Sequence, residues 1–144
     1  MEFKERVPNI TNVVSDFYQN QVMGYLKFAL YGTDDKKVVE EKELALKELM
    51  AGIQEMGKKN FETAQGFMSK ALNIFTSNKD DLHTAFSEFF LGEVSRMKED
   101  FATAQERYQK AFNIFSSKKN RMASEVEEKI KEVKASAKAK KEGN

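Results

Sequence analysis

The chain has 144 residues, 40% hydrophobic and 33% charged, with one proline and no cysteine. That is long enough for one domain with a buried core and too apolar for a disordered chain, and it excludes disulfides, thiolate metal sites and thiol nucleophiles. A formal net charge of +1 provides no global field to draw in nucleic acid or an acidic membrane surface. Strand-like alternation is missing, and Ala, Glu, Lys, Leu, Met and Gln favour helix, so an all-α fold is expected over a single domain, 1–144.

From the N-terminus, EFKERVPNI after Met1 lacks the apolar core of a signal peptide, which points to a cytoplasmic, soluble protein. Residues 9–31 space Ile10, Val13, Val14 and Phe17, then Met23, Leu26 and Leu30, as an N-terminal helix would. The stretch VMGYLKFALY is about half a membrane span and carries Lys27, so no membrane segment is expected. GYLKFAL at 24–30 echoes GFMSKAL at 66–72, which makes residues 9–31 a candidate degenerate repeat with GTDDKK as its exit loop.

Two better copies follow, at 40–77 and 81–117. Between residues 60–80 and 100–120, eleven of twenty-one positions are identical, among them Phe61/Phe101, Ala64/Ala104, Ala71/Ala111 and Phe75/Phe115. Steps of three and four place Phe101, Ala104, Tyr108, Ala111, Phe112 and Phe115 on one helical face. The alanines are small enough to let a neighbouring helix approach. Upstream of each copy lies another helical stretch, 40–56 and 81–97, with glycine at the same register, Gly52 and Gly92. GKKN and KED are the turns, so the unit is an antiparallel helical hairpin repeated every 40 residues. Residues 121–137 carry a thin stripe of Met122, Val126, Ile130, Val133 and Ala137, which suits a capping helix, and 138–144 reads as a lysine-rich tail.

Chemistry is sparse along this chain. His83 is the single histidine and is expected to be structural, in the first turn of a helix. A calcium loop counted from Asn78 would have His83 at its sixth position and Phe89 at its twelfth, where glycine and an acid are needed. Glu40, Glu41 and Glu43 sit among lysines as a solvated edge, and the tail lysines alternate with glutamates and have no aromatic stacking platform. No catalytic residue, metal site, cofactor or nucleic-acid partner is expected.

Leu91-Gly92, then Phe101, Ala104, Tyr108 and Ala111, with the parallel set Ala51-Gly52, Phe61, Ala64, Met68 and Ala71, resemble the tetratricopeptide repeat family in a long, forty-residue form. The sequence departs from that pattern where Glu48 and Glu88 replace the first-helix aromatic, Glu55 and Ser95 its tyrosine, and Thr76 and Ser116 the closing proline. The resemblance implies a short right-handed solenoid of stacked hairpins with a C-terminal capping helix. It also implies a concave groove lined by the first helix of each unit. By resemblance the groove residues are Leu46, Leu49, Ile53 and Met56 in the first unit and Phe86, Phe89, Glu93, Arg96 and Met97 in the second. The same side chains can equally pack beneath residues 9–31.

The function expected from the resemblance is a non-catalytic adaptor or scaffold that binds a protein or peptide segment in the groove. The alternative is a self-associating protein or an assembly or secretion chaperone, because two units are few for a stable stack and a homo-oligomer would supply the missing neighbour.

Overall fold

A computed structural model describes residues 35–143, so the expected N-terminal helix at 9–31 lies outside the described residues. Five helices follow one another: α1 (Lys36–Gly57), α2 (Phe61–Ser77), α3 (Asp81–Met97), α4 (Phe101–Ser117) and α5 (Met122–Glu142). There is no strand among the described residues. α1 packs on α2 and α3 on α4 as two hairpins; α2 against α3 joins them, and α5 closes the stack against α4. α1 and α3 also touch lightly.

Two helix limits differ from the sequence reading. α1 begins at Lys36, before the charged run at 40, because the Asp35 carboxylate accepts the Lys37 and Val38 backbone N–H groups and caps the helix there. α5 runs through Glu142 and absorbs most of the expected tail; its alanines and lysines keep high helix propensity after the apolar stripe ends.

The turns share one design. Lys59, Lys79, Glu99 and Lys119 all have positive φ, between 53° and 65°, at intervals of twenty residues. At each, the following N–H reaches back to close the preceding helix: Asn60 to Glu55 O, Asp80 to Phe75 O, Asp100 to Ser95 O and Asn120 to Phe115 O, all 2.9 Å. The same following residue then starts the next helix. Asp80 accepts the His83 N–H and Asp100 the Thr103 N–H, whereas Asn60 turns its amide onto Glu55 instead of capping α2.

Within each hairpin the glycine of the first helix meets a large residue of the second. A Cβ at Gly92 would lie 2.7 Å from the Tyr108 ring, and one at Gly52 would lie 2.8 Å from Met68 Cγ and 3.1 Å from the Ala64 carbonyl. Ala64, Ala71, Ala104 and Ala111 are fully buried, as are Phe75 and Phe115. The repeated face is therefore the packing face, each large aromatic contributing about 1.5–3 kcal/mol by burial.

Gly66 lies on the exposed side of α2, and nothing stands within 4 Å of a Cβ built there. Gly66→Ala is expected to stabilise the protein by roughly 0.5–1 kcal/mol through helix propensity. Gly92→Ala is expected to destabilise it by about 1–3 kcal/mol, because the Tyr108 ring has no room to yield. Urea unfolding of the two variants beside the parent checks both signs.

Candidate functional site

α3 is the most enclosed helix. Its residues Ala85 to Ser95 are all buried, eleven in succession, while α1, α2, α4 and α5 each bury a single stripe. Among the enclosed side chains is a carboxylate, Glu93, 2% exposed. Tyr108 of α4 donates its hydroxyl to Glu93 Oε1 at 2.5 Å, and Arg96 Nη2 donates to Oε2 at 3.2 Å. Arg96 Nε also donates to the Tyr108 hydroxyl oxygen at 3.3 Å, and Lys129 of α5 stands 3.7 Å from Glu93 Oε1. One buried carboxylate thus ties α3, α4 and α5.

The electrostatics follow from that enclosure. Burial, with the Glu93 charge beside it, drives the Tyr108 hydroxyl well above the usual phenol range, so it remains a hydrogen-bond donor. For Arg96, burial opposes the charged form, but the Glu93 carboxylate outweighs it and holds the guanidinium cation more firmly still.

A second polar joint sits where the two hairpins meet. Asp80 Oδ2 lies 2.9 Å from Lys42 Nζ and 2.7 Å from His83 Nδ1, while Oδ1 accepts the His83 backbone N–H. His83 is fully buried and stacks on Phe75 with ring centroids 4.7 Å apart. Nearby, the Asn78 amide donates to Glu41 Oε2 at 2.9 Å, fastening α1 to the turn between the hairpins. His83 is thus built into the joint.

Of the groove residues expected from sequence, Leu46, Leu49, Ile53 and Met56 form the buried stripe of α1. Phe86 lies edge-on to Phe115, and Phe89 packs near Tyr108 and Phe90. Glu93 and Arg96 come together with Tyr108. Met97 is 40% exposed and, with Leu44, is one of two exposed large hydrophobic residues among the described residues. Tyr108 and Lys129 were not among the expected groove residues. The spacing of Glu93 and Arg96, three apart on one helix, was a visible signal for their pair; the partners on α4 and α5 gave no such local signal.

Second-unit polar residues have apolar counterparts forty residues earlier: Ile53 for Glu93, Met56 for Arg96 and Met68 for Tyr108. The converse also occurs. Glu88 pairs with Arg107 at 2.9 Å, but Phe67 takes the place of Arg107 in the first unit, and Glu48 Oε2 is buried there with no hydrogen-bond partner.

The family model for the tetratricopeptide repeat matches residues 43–117, the two hairpins just described. The chain belongs to the tetratricopeptide repeat family. Neither a curated protein nor a solved structure matches it. Tetratricopeptide repeats are protein–protein interaction modules in general, and the hairpins here pack in the manner of that family. Among the described residues no cluster of His, Asp or Glu could hold a metal ion, and no helix is long and apolar enough to cross a membrane.

The Asp80 joint yields a pH dependence. Burial raises the Asp80 pKa, but the hydrogen bonds and charge from His83, with help from Lys42, outweigh it and bring the group from 3.8 to about 2. A carboxylate held lower when folded contributes stability above its unfolded value and loses it as pH falls through the folded one. Asp80→Asn should therefore cost about 2 kcal/mol relative to the parent near pH 6, with that gap closing between about pH 4 and pH 2. Urea unfolding across this range checks it, and a gap that stays constant would contradict the assignment.

Proposed function

We propose that this tetratricopeptide repeat protein is a non-catalytic adaptor that holds a protein or peptide segment against its α1–α3 side. The observation that carries the reading is the end of α3. There an exposed methionine, Met97, adjoins Arg96, whose guanidinium is fixed in place by a buried carboxylate. A polarizable apolar anchor beside a fixed donor suits recognition of a peptide side chain together with a main-chain carbonyl. With Glu93, Arg96 and Lys129 counted together, the rim carries one net positive charge, which disfavours strongly basic partner segments. Family membership supports the class of function, and the polar groups of α3 are committed to packing in place of chemistry.

Phe89 is a poor probe of this reading, because an aspartate at its buried position would unsettle the fold itself. Met97 and Leu44 are cleaner. Leu44 is exposed and points some 140° away from Leu49 and the buried stripe of α1, at about 100° per residue. A partner would first be identified by crosslinking in the native cell, and its affinity then measured with purified proteins. Met97→Asp is expected to weaken that affinity about tenfold or more, a loss of roughly 1.4 kcal/mol, while Leu44→Asp leaves it within about twofold. Equal effects of the two substitutions would overturn the placement of the binding side.

A further inference from the structure

The two hairpins treat one carboxylate position differently. Glu48 and Glu88 hold the same register, each one helical turn before the glycine at which its hairpin closes most tightly. In the second hairpin Arg107 of α4 crosses to α3 and donates from Nη1 to Glu88 Oε2 at 2.9 Å. Phe67 stands in place of Arg107 in the first hairpin, and Glu48 Oε2 is buried with no hydrogen-bond partner. Among the described residues Glu48 makes no ion pair either. A carboxylate drawn part-way out of water without a donor is costly, and the duplicate shows which group relieves it: a guanidinium.

The surroundings of Glu48 suit that group. A Cβ built at Gly52 would lie 3.3 Å from Phe67 Cβ, which roots the Phe67 side chain at the same crossing, one turn from Glu48. Glu48 and Phe67 are both half-buried, so each still presents surface to solvent. The Phe67 ring already takes a positive charge over its face, with Lys70 Nζ 5.9 Å from the centroid. Lys70 is exposed on a flexible stem and can give way to a better-fitting cation. A carboxylate beside an aromatic face selects a planar guanidinium over a compact ammonium. The guanidinium forks onto the carboxylate while its plane stacks on the ring.

We infer that Glu48 and Phe67 form a binding site for a single arginine side chain of a partner protein. That arginine completes between two molecules the pair that Arg107 completes within the second hairpin. Glu88 does not compete for it, because Arg107 already meets the carboxylate there. The site is distinct from the Met97 end of α3 and does not depend on the adaptor reading. At Met97 the fixed polar group is a cation, Arg96, whereas here it is an anion, so the two sites take side chains of opposite character.

The test titrates the full chain with N-acetyl-arginine amide and follows backbone amide and phenylalanine ring signals by NMR. N-acetyl-citrulline amide, the same shape without the charge, is the comparison. Saturable shifts centred on Glu48 and Phe67 are expected with the arginine probe, and binding about tenfold or more weaker with citrulline. Glu48→Gln, nearly isosteric, should abolish the preference for arginine. Phe67→Arg should abolish binding of the probe by supplying the guanidinium from within the chain, as Arg107 does in the second hairpin. Equal binding of the two probes, shifts that map away from Glu48 and Phe67, or no saturable binding would each overturn the proposal. So would an arginine preference that survives Glu48→Gln. The comparison of the two probes on the parent chain stands whether or not either variant folds.

Discussion

The buried carboxylate of Glu93 is the interaction on which the second half of the fold turns. Removing a carboxylate from water costs several kcal/mol, and only close donors on every side offset it. Here the donors come from three helices: Arg96 from α3 itself, Tyr108 from α4 and Lys129 from α5. The arrangement therefore works only when hairpin and cap are docked together. It also holds Tyr108 against Gly92, so the close approach of α3 to α4 and the satisfaction of Glu93 are one event. Loss of Tyr108 leaves the buried Glu93 carboxylate with one close donor fewer, and that desolvation is no longer fully offset.

The first hairpin solves the same packing problem without charge. Ile53, Met56 and Met68 occupy the positions of Glu93, Arg96 and Tyr108, and the Gly52 crossing is closed by a flexible methionine in place of a rigid ring. The two units thus share alanines, phenylalanines and turn geometry but differ in how their first helices are specified. The copied residues set the distance between helices. The varied ones decide what lies in the space created, and in the second unit that space holds a polar node opening onto Arg96 and Met97 at the surface. Between the units, Asp80 joins Lys42 and His83, so the stack is pinned by charge at the joint as well as by apolar burial.

The hairpins were legible because the duplication is local and periodic. Phe101, Ala104, Tyr108 and Ala111 fall on one face at helical spacing, and a repeat of such a face has to be a packing surface. The duplication does not extend to every role: Asp100 caps α4 through the Thr103 N–H, whereas Asn60, forty residues earlier, bonds Glu55 instead. Less of the candidate site could be read. Glu93 and Arg96 carry the charge and spacing of surface residues, and nothing within seven residues of Glu93 announces that Tyr108 and Lys129 will close over it. Pairings across helices leave no mark on periodicity. The αL turns were hidden as well, since Lys and Glu stand where glycine would have signalled them.

In the adaptor reading proposed above, recognition and folding would share one helix. α3 is at once the centre of the core and the bearer of the exposed Met97 and the half-buried Arg96, so a ligand bound there would sense the whole stack. The most direct test of this account is a double-mutant cycle on Glu93 and Tyr108, using Glu93→Gln, Tyr108→Phe and both together, read as unfolding free energies. A coupling of about 1 kcal/mol or more is predicted, because each group satisfies the other in a dry site. A coupling indistinguishable from zero would show that the carboxylate is not held by the tyrosine and would contradict the central role given to α3.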